Sequence, residues 1–171
     1  MKRVSFQLFA MGIALALSGA ATAETGIGYS INVEGEQKTM ADGTFVRETT
    51  ADDIWLLDNL PKGFASKMVA SCSSIWVMGA DYSNKGSTFR CTAKDSDGDG
   101  YISVGHIREA DWTGCGILTV ASWGKYAGAK LNGTCQVGGP FAGEDTGTYT
   151  WAGEWTLPQQ LAYVIVLNIT L

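Results

Sequence analysis

The sequence predicts an all-β protein, an antiparallel barrel of about eight strands. Two observations carry this reading. Short runs rich in Val, Ile, Thr, Tyr and Trp recur along the chain, divided by clusters of Gly, Asp and Asn, the pattern of strands joined by tight turns. The chain also holds 22 glycines against 3 prolines; glycine supplies the turns, and proline would interrupt strand ladders. A barrel further removes the open sheet edges that invite aggregation.

The elements follow in order. Ile31 and Val33 alternate with polar neighbours, and Ala41-Asp42-Gly43 marks a turn. Residues 44–50 read as the returning strand. Residues 51–60 are the one stretch that reads as a helical turn, with Asp52 and Asp53 near its start and Pro61 behind it. Residues 67–78 carry Val69, Ile75, Trp76 and Val77, and 81–86 are turn residues. Strands are expected at 87–93 and 101–107, flanking a strong turn signal at 95–100. The runs 117–121, 132–137 and 148–155 read as further strands. The tail 161–171 is β-branched at Val164, Ile165, Val166, Ile169 and Thr170. Eight or nine strands result, with no exact repeat and no linker, hence one domain.

Residues 1–23 have the three-part plan of a secretory signal. Lys2 and Arg3 precede an apolar run from Phe9 to Leu17, and Ala21-Thr22-Ala23 forms an A-x-A-type cleavage site. That run is shorter than the roughly 20 apolar residues a spanning helix needs. The expected product is a domain of residues 24–171, secreted or periplasmic. Its length is 171 − 23 = 148 residues and its formal charge is 10 − 17 = −7, since Lys2 and Arg3 leave with the signal. A chain of this size can bury about two-thirds of its unfolded surface. The negative charge and scattered basic residues argue against nucleic acid, which needs clustered Lys and Arg.

Cys72, Cys91, Cys115 and Cys135 all lie in the exported part. An even count there favours disulfides over metal. Three pairings are possible. Cys72–Cys91 with Cys115–Cys135 is favoured, because each would tie neighbouring strands. Each closes a loop of about 20 residues, worth roughly 3 kcal/mol in the loop-entropy description. A zinc site is excluded by spacing: there is no C-x₂-C pair and a single histidine.

The sharpest local motif is Asp95-Ser96-Asp97-Gly98-Asp99-Gly100. Asp95, Asp97 and Asp99 stand at positions 1, 3 and 5 of a calcium loop, with Gly100 at 6 and Ile102 at 8. His106 stands at position 12, where a bidentate acid belongs, and the flanks read as strands. An acidic hairpin turn accounts for the same residues, so no metal is assigned. His106, near Glu109 and Asp111, lacks any nucleophile motif beside it and reads as structural or exposed. Asn132-Gly-Thr and Asn168-Ile-Thr match the glycosylation pattern, but the signal is of bacterial type and nothing is built on them.

The second half is rich in aromatics: Trp112, Trp123, Tyr126, Tyr149, Trp151 and Trp155. They either line a ligand cavity or form the core. Tyr149, Trp151 and Trp155 share parity within one strand and should face one side.

Trp123-Gly124-Lys125-Tyr126-Ala127-Gly128, then Asn132-Gly133-Thr134, then Thr148-Tyr149-Thr150-Trp151-Ala152-Gly153-Glu154-Trp155 follow in that order. This series resembles the allene oxide cyclase and dirigent-type barrel superfamily, whose members carry a Gly-Lys-aromatic loop, a strand and a closing aromatic strand. It is more similar to small bacterial secreted proteins of that kind, with a cysteine pair and an Asp/Gly turn near the positions of Cys72, Cys91 and Asp95–Gly100. The resemblance spans residues 72–155 and implies a calycin-like eight-stranded barrel with a central cavity. It carries over no catalytic residue. Trp123, in place of a small residue, and the apolar tail beyond Pro158 depart from the pattern.

Three functions are weighed, and the sequence favours the first over an enzyme or a structural barrel. The first is a secreted barrel binding a small apolar or aromatic ligand through Trp123, Tyr126, Tyr149, Trp151 and Trp155, with no cofactor. The second is a cofactor-free isomerase or cyclase in the same cavity. The third is a filled, structural barrel, whose tail could pair copies of the chain. Charged side chains pointing inward would favour chemistry; a packed apolar interior would favour the third.

Overall fold

The computed structural model describes residues 22–108, 114–137 and 147–158. The expected signal segment to residue 21 and the apolar tail from 159 lie outside these, as do Glu109, Asp111 and Trp112.

Eight strands run in sequence order: β1 (Thr22–Thr39), β2 (Phe45–Asp58), β3 (Lys67–Met78), β4 (Ser87–Lys94), β5 (Gly100–Ile107), β6 (Cys115–Trp123), β7 (Lys130–Val137) and β8 (Gly147–Thr156). Each pairs antiparallel with the next, and β1 pairs with β8, so the sheet closes. One 3₁₀ turn, Gly124–Tyr126, joins β6 to β7. No helix among the described residues is long and apolar enough to cross a membrane.

Residues 51–60 are not helical. Residues 51–58 continue β2, and their side chains alternate: Asp53, Trp55 and Leu57 are buried, while Asp52, Leu56 and Asp58 are exposed. Period-two burial and pairing to both β1 and β3 outweigh the helix-start signal of Asp52-Asp53. β1 is longer than Ile31 and Val33 alone suggest. It carries a bulge between Ile31 and Glu34, with Asn32 at φ 53°, the left-handed conformation asparagine tolerates.

Inward alternation builds the core. Met68, Ala70, Cys72, Trp76 and Met78 of β3 are buried, while Lys67, Val69, Ser71 and Ser73 face out. Gly26 and Gly28 lie inward on β1. A Cβ at Gly26 would meet the Trp151 ring, and one at Gly28 the Tyr149 ring. The two glycines therefore let β8's rings lie flat across β1, and the barrel's seam is interlocked by side chains as well as by its ladder.

The interior is packed toward both ends. At one end Phe64, Tyr126, Tyr101 and Trp155 form a ring cluster, with Phe64 4.4 Å from Tyr126 and 5.1 Å from Trp155 between centroids. The loop bearing Phe64 is held by the Ala65 N–H, which donates to the Tyr126 hydroxyl (3.0 Å). At the other end Phe45, Trp76, Met78, Ile107 and Cys115 cluster. There Asn84 accepts from the Ser87 hydroxyl and donates to the Ile107 carbonyl.

Both cysteine pairs are disulfides, Cys72–Cys91 and Cys115–Cys135. Each joins residues directly opposite on adjacent strands.

Candidate functional site

Between the packed ends lies a cavity of about 60 Å³. Among the described residues six aromatics line it: Trp55, Trp76, Phe89, Tyr101, Tyr149 and Trp151. Both disulfides also reach it, and Ser30, Thr49, Ser74 and Asp53 supply its polar wall.

Asp53 is the chemical centre. It points inward from β2 and is 3% exposed. Its Oδ2 accepts a hydrogen bond from the Tyr149 hydroxyl and a longer one, 3.4 Å, from Trp55 Nε1. Trp55 Nε1 also donates to the Tyr149 oxygen, and the Ser30 side chain bonds the carboxyl as well. The Cys72 sulfur is 3.1 Å from the same oxygen; as a disulfide sulfur it has no proton, so this is a contact and not a hydrogen bond. The other oxygen, Oδ1, is buried with no hydrogen-bond partner. Leaving such an atom unpartnered costs free energy.

Burial pushes the Asp53 carboxyl above its ordinary range, against the hydrogen bonds from Tyr149, Ser30 and Trp55 that favour its charge. Burial, followed by the nearby Asp53 charge, pushes the Tyr149 phenol up too. A raised acid binds a proton more tightly folded than unfolded. Its penalty is absent below the unfolded value of about 3.8 and grows as pH rises through the raised folded value. Asp53→Asn removes that charge at nearly constant shape. It is expected to raise the melting midpoint at pH 7 and leave it unchanged at pH 3, measured by circular dichroism; a lowered midpoint at pH 7 would contradict this account.

Among the described residues two further carboxyls are buried, and both are satisfied. Glu24 on β1 is 1% exposed. Its Oε1 accepts from Trp151 Nε1 at 2.8 Å and its Oε2 from Trp155 Nε1. Burial nevertheless raises its pKa. Asp95 opens the β4–β5 turn. Its Oδ1 accepts from the Asp97 and Asp99 N–H groups, and its Oδ2 from Tyr126 (3.2 Å) and Lys125 (2.8 Å). Burial pushes Asp95 up, but the bonds from Lys125, Asp97 and Tyr126 outweigh it and hold the carboxyl below its usual range.

The calcium-like turn is thus occupied by the protein's own cation. Lys125 Nζ bridges Asp95 and Asp97 (2.7 Å to Asp97), and the Lys125 N–H donates to Asp99. Asp53, Cys72 and Cys91 also cluster within 4.8 Å, but the disulfide bond engages both sulfurs, and thiolates are what a soft metal would need.

The structure divides the five aromatic residues singled out from sequence. Tyr149 and Trp151 line the cavity. Trp155 and Tyr126 belong to the packed end. Trp123 lies outside the cavity lining, its Nε1 bonded to the Gly98 carbonyl at 2.8 Å. His106 sits on the outward parity of β5, its ring over Gly116, away from the cavity. Sequence reasoning missed Asp53, Trp55, Trp76 and Tyr101. The signal was the parity of Ala51, Asp53, Trp55 and Leu57, which the helical reading of that stretch concealed.

Set against known proteins, the chain matches no protein-family profile, no curated protein and no solved structure.

Proposed function

We propose that this barrel is an exported binding protein, secreted or periplasmic, whose interior receives a small, largely apolar ligand. The observation that carries the reading is Asp53 Oδ1: a buried acceptor without a partner, in a residue lining a cavity otherwise walled largely by aromatic rings and disulfides. Binding sites combine such an apolar wall with a few placed polar groups. Packed structural cores satisfy most of theirs; the Ser103 and Thr119 hydroxyls, outside the lining, are also buried without a partner, but of the four such atoms among the described residues Asp53 Oδ1 is the one that belongs to a carboxyl. The two disulfides suit an oxidising compartment, in keeping with the export signal read in residues 1–23. The resemblance to allene oxide cyclase and dirigent-type barrels is proposed on the same footing, as a kinship of cavity architecture.

Size limits the ligand. A dry cavity that takes benzene measures about 150 Å³. The present one, near 60 Å³, suits a molecule of a few heavy atoms or the narrow end of a larger one. The inward carboxyl and its Tyr149 partner favour cofactor-free isomerisation as a second reading, because an acid–phenol pair can move a proton. Titrating the protein with isopropanol and acetone, followed by the indole N–H signals of Trp55 and Trp151 in NMR spectra, tests the first reading. Saturable shifts confined to cavity residues are expected. No saturation by either, nor by amine or carboxylate analogues, would leave the filled structural barrel.

A further inference from the structure

We propose that the ligand this cavity selects is a small organic cation with N–H donors, a protonated aliphatic amine, its ammonium against Asp53 Oδ1 and its hydrocarbon part among the aromatic rings. The inference rests on the binding reading above and adds the sign of the ligand's charge.

The first support is the charge of the lining. Among the described residues the cavity wall includes Asp53 and no Lys, Arg or His. Arg47 shares the inward parity of β2 but is not part of the lining, and six strand residues from Asp53 correspond to roughly 20 Å. Among the described residues Tyr101 and Tyr149 are the other titratable groups in the lining, and neither is cationic.

The second is a comparison within the same interior. Glu24 has an indole N–H for each oxygen. Asp95 has Lys125 and two backbone N–H groups. Asp53 alone of the three has a fully buried oxygen with no donor. Its other oxygen collects the phenol and the indole, so the incomplete side of the carboxyl is the one a ligand can complete.

The third is the wall. Rings of Trp55, Trp76, Tyr101, Tyr149 and Trp151 surround the same volume, and aromatic faces attract cations, most strongly when desolvated. A carboxylate ligand would meet the opposite: a like charge, and no cation to hold it.

Isopropylamine, isopropanol, acetone and acetate test this, because all four have four heavy atoms and differ in charge and hydrogen bonding. Each is titrated into the protein at pH 7, with the indole N–H signals as readout. Against an ionised Asp53 the amine adds the attraction of opposite charges in a desolvated site to its hydrogen bond, isopropanol offers a hydrogen bond alone, and acetone has no donor. The amine is therefore expected to bind at least about tenfold more tightly than isopropanol or acetone, with acetate not saturating. Asp53→Asn is expected to bring the amine to the level of isopropanol. Acetone or isopropanol binding as tightly as the amine would overturn the proposal and show a neutral carboxyl or a charge-indifferent cavity. Saturation by acetate would overturn it too, as would an amine preference that survives Asp53→Asn. If neutral probes saturate and the amine does not, this inference falls and the binding reading stands; if nothing saturates, both fall. Should Asp53→Asn fail to fold, the order of the four probes on the unmodified protein decides.

Discussion

Trp155→Ala is expected to lower the melting midpoint by at least about 10 °C, and to leave little folded protein at 37 °C. Two losses combine. Trp155 is fully buried against Phe64, Tyr101 and Tyr126, and truncating a core tryptophan costs about 3–5 kcal/mol. Its indole N–H is also one of the two donors to buried Glu24, and an orphaned buried acceptor adds about 1–3 kcal/mol. Domains are stable by only about 5–15 kcal/mol, and each kcal/mol moves the midpoint of one this size by about 2–4 °C. Thermal melting followed by near-ultraviolet circular dichroism reads the effect. A drop under about 5 °C would mean that this end of the barrel is not a packed plug. Trp151→Ala, beside the cavity, is expected to cost less at the ring itself, since part of its surroundings is already empty.

Removing both disulfides is the second large effect. Cys72–Cys91 spans 19 residues and Cys115–Cys135 spans 20. In the loop-entropy description each contributes about 3 kcal/mol. Their joint loss takes about 6 kcal/mol, comparable with the whole stability of many domains. The quadruple variant with alanine at all four positions is expected to be largely unfolded at 37 °C, and either double variant to melt lower but cooperatively. Protein denatured without reductant should yield no free thiol. Two reproducible thiols per chain would remove one of the two crosslinks, and a quadruple variant melting like the parent would remove their structural role.

Much of the barrel was legible because its code is local. Turns such as Ala41-Asp42-Gly43 and Asp95–Gly100, and the β-branched runs between them, need no knowledge of partners. The cysteine pairing was legible for the same reason, since each pair flanks one hairpin. Parity placed Tyr149 and Trp151 on one inner face. What sequence could not supply was depth. Tyr149, Trp151 and Trp155 alternate identically, yet only the first two border the cavity, because Phe64 and Tyr126 arrive from separate loops to cover the third. Asp53 was hidden by a local signal: Asp52-Asp53 before an apolar stretch imitates a helix start, and only pairing with β1 and β3 overrides it. Lys125 beside the Asp95 turn is likewise a contact between segments about thirty residues apart, invisible to a motif that counts ligands along one loop.

The seam between β1 and β8 has a consequence in time. The indoles that complete Glu24 come from 127 and 131 residues further along the chain, and the rings that lie over Gly26 and Gly28 come from the same last strand. Every other strand pair joins neighbours in sequence and can assemble as a hairpin. The closing pair cannot, and long-range pairing is slow because loop closure comes before its reward. A chain made from its N-terminus therefore carries β1 with one open edge and an uncompensated acid until β8 has been synthesised. Closure of the barrel, and with it the pairing of Glu24 to its two indoles, therefore waits on the last strand to be made.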